Sequence, residues 1–124
     1  MKAMNFHKFG KSFVYATQGV IHAIKTEQNF RLHLLAAGIV FIASLLTGLS
    51  KWEWIIVVML IFGMFMIELV NTSVERIVDL ASPDFHPLAK QAKDLAAGAC
   101  LVYALCTVIV GLIIFIPKWS VILF

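Results

Sequence analysis

Apolar and polar positions fall in blocks along this chain, and the blocks predict its elements. Residues 4–25 are amphipathic. Phe6, Phe9, Phe13, Val20 and Ile24 take one side of a helix, while Lys8, Lys11, Tyr15, Gln18, His22 and Lys25 take the other. An apolar face opposed by a basic face predicts a helix lying among lipid headgroups. Glu27, Gln28 and Asn29 form a polar break. Three apolar blocks follow, at about 30–49, 52–72 and 96–116. Each is close to the roughly 20 residues that a helix needs to cross a hydrocarbon core of about 30 Å. Gly48 and Ser50 end the first block, and Lys51 marks the turn. Helix is predicted to run on past the second span to about Leu80. Ser82, Pro83 and Asp84 break it. Pro87 suits the first turn of the last helix, and Pro117 is expected to stop that helix near Ile116.

Composition agrees with the blocks. Of 124 residues, 61% are hydrophobic and 14% charged, beyond ordinary globular usage. The expected fold is all-α: one membrane domain over residues 1–124, with a surface helix and three spans. Residues 1–27 have neither the apolar core nor the cleavage site of a secretory signal. The net charge of +3 concerns topology and anionic lipid, and no nucleic-acid partner is expected. Cys100 and Cys106 are six residues apart in an apolar helix. They are too far apart along its axis to bridge, and both are expected as small buried residues. Three spans offer one another few faces, so self-association is expected.

Charge orients the chain. Lys2, Lys8, Lys11, Lys25, Arg31, Arg76, Lys90 and Lys93 fall on one side of the spans, and Lys51 and Lys118 on the other. The positive-inside rule assigns the first group, with the N-terminus, to the cytoplasm. Trp52, Trp54 and Trp119 gather at the opposite interface as an aromatic belt.

The second span ends in Glu68-Leu-Val-Asn71-Thr72-Ser73-Val-Glu75. A carboxylate in the bilayer costs about 2.5–3.5 kcal/mol on insertion scales, so an acid there suggests function. At about 100° per residue, Glu68, Asn71, Glu75 and Asp79 share a stripe roughly 80° wide. Counted from Trp52, Glu68 lies roughly 6 Å inside the boundary and Glu75 roughly as far outside it. Glu27 flanks the first span at that level, and Lys93 and Asp94 flank the third. Carboxylates at a water boundary suit Mg²⁺ held together with nucleotide phosphates. Glu27 and Glu75 are the candidate ligands, and Lys93 can neutralise phosphate charge. Glu68, deeper and less solvated, suits a general base acting on a hydroxyl, with Asn71 placed to orient the base or the hydroxyl. Ala96-Ala97-Gly98-Ala99 is expected to let the last helix approach the second span closely. From the residues alone three readings stay open: a phosphoryl-transfer site, an ion-conducting helical oligomer and a packing motif. No P-loop, kinase catalytic loop or nucleophile elbow is present in the sequence.

Glu68-Leu-Val-Asn-Thr-Ser-Val-Glu75 closely resembles the E-x-x-N-[ST]-[AS]-[IVL]-E signature of the bacterial membrane diacylglycerol kinase family. Ala92-Lys-Asp-Leu-Ala-Ala-Gly-Ala99 is similar to that family's second signature. Phe9-Gly-Lys-Ser-Phe13, Thr26-Glu-Gln-Asn-Phe30 and His86-Pro-Leu-Ala-Lys90 are most similar to its Gram-positive branch, whose members are undecaprenol kinases. The resemblance implies a homotrimer with shared active sites in the cell membrane. It implies ATP and Mg²⁺ on the cytoplasmic side, and a lipid alcohol as acceptor, either undecaprenol or diacylglycerol. Glu68 matches the proton acceptor, and Glu27 and Glu75 the metal ligands. Lys8, Tyr15, Glu27, Glu75, Asp84, Phe85, His86, Lys93 and Asp94 match nucleotide-contacting positions. Lys8 stands where arginine is frequent, which removes a bidentate phosphate contact. The lipid is expected against Glu68 and Ala97.

Overall fold

The computed structural model describes residues 5–124, so Lys2 and Met4, used above, lie outside it. Four helices follow one another: α1 (Phe6–Thr26), α2 (Gln28–Thr47), α3 (Lys51–Ala81) and α4 (Pro87–Leu123). No strand occurs among the described residues. The last three helices are long and apolar enough to cross a membrane.

Local chemistry sets the ends. The Asn5 side chain accepts from the Lys8 N–H and caps α1. Ser50 and Glu53 form a reciprocal capping box at the start of α3, which satisfies two N–H groups that have no partner inside the helix. His86 caps α4 through Nδ1, which accepts from the Leu88 N–H, and Pro87 takes the first helical position as predicted. Gly48 ends α2 at φ 74°, in the left-handed region that favours glycine. The polar break between α1 and α2 is shorter than the sequence implies. Glu27 alone is extended, and α2 begins at Gln28. Arg31 Nη1 donates to the Ile24 and Lys25 carbonyls at 3.3 and 3.0 Å, satisfying the open end of α1.

α3 and α4 share the most extensive contact, and Gly63 takes part in it. The Tyr103 hydroxyl lies over Gly63 and donates to the Met59 carbonyl at 3.2 Å. A Cβ at Gly98, by contrast, would meet nothing within 4 Å. Gly98 thus leaves open space beside α4 within the chain, whereas Gly63 receives the Tyr103 ring. The α2–α3–α4 core gathers Val57, Ile114 and Phe115, with Val40, Ala43, Leu49, Ile61 and Val110 packed against it.

Pro117 does not stop α4, which continues to Leu123. A proline inside a helix costs about 3 kcal/mol, and tertiary contacts offset it here. Trp119 Nε1 donates to Thr47 Oγ1 at 2.9 Å, and its ring packs on Phe115 at 5.3 Å. Lys118 pairs with Glu53 at 3.0 Å. Cys106, expected to be buried, is exposed, and Cys100 is half-buried.

A Cβ at Gly63 would overlap the Tyr103 hydroxyl oxygen and the ring carbon that bears it. Gly63→Ala is therefore expected to destabilise the fold by about 1–3 kcal/mol. Thermal melts in detergent should show most of the loss recovered in Gly63→Ala/Tyr103→Ala relative to Tyr103→Ala alone.

Candidate functional site

The polar stripe of α3 runs from its buried middle to its exposed end. Glu68 is 3% and Asn71 7% exposed, Glu75 is half-buried, and Asp79 is exposed. Three helices enclose Glu68. His33 on α2 brings Nε2 to 3.8 Å from Glu68 Oε2. Cys100 on α4 faces the same carboxylate, with its Sγ 3.9 Å from the Ile67 carbonyl. Asn71, one turn along, holds Oδ1 buried with no hydrogen-bond partner among the described residues. Buried polar atoms are nearly always paired. A buried acceptor without a partner beside a buried carboxylate is suited to receive a ligand's hydroxyl.

Toward the exposed end the charges pair across helices. Arg76 Nη2 donates to Glu27 Oε1 at 2.7 Å, and the Thr26 hydroxyl donates to the same oxygen at 3.0 Å. The Arg76 hydrogen bond, aided by Thr26, holds the Glu27 carboxyl below its ordinary value. Arg76 follows Glu75 directly, so the contact brings both metal-ligand candidates to one level. Lys93 pairs with Asp79. The Asp79 hydrogen bond raises the Lys93 ammonium, and the nearby Glu75 charge adds to this. To meet a phosphate, Lys93 must exchange Asp79 for it. Among the described residues no group of three or more His, Cys, Asp or Glu side chains could hold a metal ion alone.

The remaining candidates are spread out. Asp94 pairs with Lys90 in its own helix. It lines a groove of about 990 Å³ between α3 and α4, with Ile67, Gly98, Val102, Tyr103 and Cys106. Ala97 is exposed and does not line that groove. Asp84, Phe85 and His86 form the exposed turn between α3 and α4, where His86 serves as a helix cap. Lys8 and Tyr15 are exposed on α1, and their side chains make no hydrogen bond or ion pair among the described residues. Ala23 is the residue that α1 buries. A single chain thus brings Glu27, Glu68, Asn71, Glu75 and Lys93 to one end of α3 and leaves Lys8 and Tyr15 apart. The sequence reading did not single out His33, and it counted Arg76 only as a charge. Their partners, Glu68 for His33 and Glu27 for Arg76, lie on other segments, so only the packing of helices reveals the role.

The family described as prokaryotic diacylglycerol kinase matches residues 14–115. An undecaprenol kinase of Bacillus subtilis is 50% identical over 112 residues, covering 90% of this chain and 91% of that protein. A diacylglycerol kinase of Synechocystis is 39% identical over 107 residues, covering 86% of this chain and 61% of that protein. A diacylglycerol kinase of Helicobacter pylori strain J99 is 38% identical over 102 residues, covering 82% of this chain and 79% of that protein.

The Glu27–Arg76 pair carries a pH dependence with a definite sign. A carboxyl lowered in the folded state stabilises the fold above its ordinary value of 4.5 and loses that stabilisation as pH falls through the folded value. The pair is partly solvated, so its worth is at most about 1 kcal/mol. Melting temperature against pH should show an acid-side decline in the wild type that is shallower in Glu27→Gln.

Proposed function

Because the chain belongs to the prokaryotic diacylglycerol kinase family, and so is a membrane lipid kinase, we propose that it transfers the γ-phosphate of ATP to the hydroxyl of undecaprenol. The observation that carries the reading is Glu68. It is a carboxylate 3% exposed at the end of an apolar span, beside an Asn71 oxygen that lacks a partner. Glu68 takes the hydroxyl proton, Asn71 holds the hydroxyl in line, and the oxygen attacks the γ-phosphorus. Positioning and charge stabilisation supply most of the catalysis in such a transfer.

Glu27 and Glu75 are the proposed Mg²⁺ ligands. Two carboxylates at one level are hard oxygen donors of the kind Mg²⁺ takes together with nucleotide phosphates and waters. The cation, when bound, neutralises phosphate charge. Arg76 keeps Glu27 ionised and oriented before nucleotide arrives. Lys93 and Asp94 are proposed to contact the nucleotide, together with Asp84, Phe85 and His86 from the adjoining turn. Lys8 and Tyr15 complete the set from a neighbouring chain. Their separation within one chain supports a homotrimer with shared sites, as does the wide apolar surface that the spans leave exposed. Residues 1–124 act as one domain. The N-terminus and the Arg76–Lys93 end face the cytoplasm, as the lysines and arginines there favour.

The lipid enters from the inner leaflet, and Ala97 lies on its path. Near Glu68 the exposed Val70 and Leu101 offer apolar surface and no second cluster of donors for ester carbonyls. A site that hydrogen-bonds such groups discriminates strongly against lipids lacking them, whereas an apolar surface discriminates weakly. Purified enzyme with labelled ATP and Mg²⁺ in mixed micelles should phosphorylate undecaprenol with the higher kcat/KM and diacylglycerol with the lower. A preference for diacylglycerol of about tenfold, a difference of about 1.4 kcal/mol, would transfer the assignment to that lipid and keep the mechanism.

A further inference from the structure

Glu68 has a second requirement beyond accepting a proton: it must lose that proton before the next turnover. Its side chain is 4% exposed, so solvent has almost no direct access. The titratable groups around it are few. α3 contributes Glu75 two turns nearer the water, α4 contributes the Cys100 thiol, and α2 contributes His33. Arg31, two residues before His33, is turned to the Ile24 and Lys25 carbonyls and is not available. The Cys100 thiol is half-buried, contacts the Ile67 carbonyl and gives no path to water. His33 alone combines contact with access, with Nε2 at 3.8 Å from Glu68 Oε2 and a side chain 28% exposed.

We propose that His33 is a proton relay that acts through Glu68 and links the buried carboxylate to the water boundary. The proposal rests on the reading of Glu68 as the proton acceptor. As the lipid oxygen bonds to the γ-phosphorus and the bond to the ADP oxygen breaks, the hydroxyl proton passes to the Glu68 carboxylate. Glu68 gives it to His33 Nε2, and His33 releases a proton from Nδ1 to water, which restores the carboxylate; proton exchange with water at the exposed ring then returns the imidazole to its Nδ1–H tautomer for the next turnover. Imidazole is suited to this because its two nitrogens are distinct, so one can take a proton while the other gives one up. The 3.8 Å separation is beyond a hydrogen bond, and contacts between catalytic groups are often this long before substrate binds. His33 touches no substrate in this scheme. It sets the rate at which Glu68 is reset.

The test compares full-length His33→Gln and His33→Ala with wild type in mixed micelles containing undecaprenol, ATP and Mg²⁺. A relay predicts that kcat falls by about 10- to 100-fold in both variants while the KM for ATP is unchanged. It also predicts that added imidazole, entering the space left in His33→Ala, restores about tenfold of the lost kcat, and does nothing for wild type or Glu68→Gln. His33→Gln keeps the size and one hydrogen bond, so it reports even if His33→Ala fails to fold. A kcat for His33→Gln within about twofold of wild type, where general-base effects are far larger, overturns the relay. So does a folded His33→Ala that imidazole leaves inactive, because the loss is then structural. A Glu68→Gln variant that keeps its kcat overturns the base reading and the relay together. An inactive Glu68→Gln beside a normal His33→Gln overturns the relay alone.

Discussion

A charged side chain placed where there is almost no water constrains everything around it. Glu68 sits in an apolar helix at 3% exposure, where an unpaired carboxylate is costly. The fold meets that cost with a few neighbours rather than a full polar network. His33 comes from α2, Cys100 from α4, and Asn71 from the next turn of α3. The incomplete satisfaction is informative. A carboxylate locked in strong hydrogen bonds would be a poor proton acceptor, and an Asn71 oxygen already engaged would have nothing to offer a hydroxyl.

The rest of the molecule holds those three helices in register. At one end Arg76 ties α3 to Glu27 at the start of α2, and Asp79 ties α3 to Lys93 on α4. At the other end Glu53 pairs with Lys118, and Thr47 accepts from Trp119. Between them the Tyr103 phenol presses on Gly63. Surface ion pairs are worth little singly, yet here they stand at the ends of long levers. They fix the register of helices that offer few internal contacts. Most of the apolar surface stays outside the single chain, where lipid or a second copy can cover it.

Much of this was legible in the sequence because it depends on local rules. The spans follow from apolar block length, Pro87 from its fit to the first helical turn, and the end of α2 from Gly48. The inward stripe of Glu68, Asn71 and Glu75 follows from helical spacing. What failed depends on contacts between segments distant in sequence. Pro117 predicts a stop by its own chemistry, yet Thr47 and Glu53 carry the helix past it. The place of Gly63 under the Tyr103 ring has no local signal, because Tyr103 lies on another helix. His33 stands alone in an apolar run, and Arg76 reads as one more cytoplasmic charge. Each gains its role only when a neighbouring helix brings the partner. The family signature implies a catalytic role for the stripe, which spacing alone left open against ion conduction or packing.

The central claim is that the position of one buried carboxylate, and not merely its charge, drives the transfer. Glu68→Asp tests it most directly, because it keeps the charge and retracts the carboxyl by one methylene. The measurement is kcat with undecaprenol together with the dissociation constant for ATP. A misplacement of about 1 Å can cost about 10²-fold. The account predicts a loss of that order in kcat with ATP affinity unchanged. A Glu68→Asp enzyme with full kcat, or one whose defect is lost ATP binding, would contradict it.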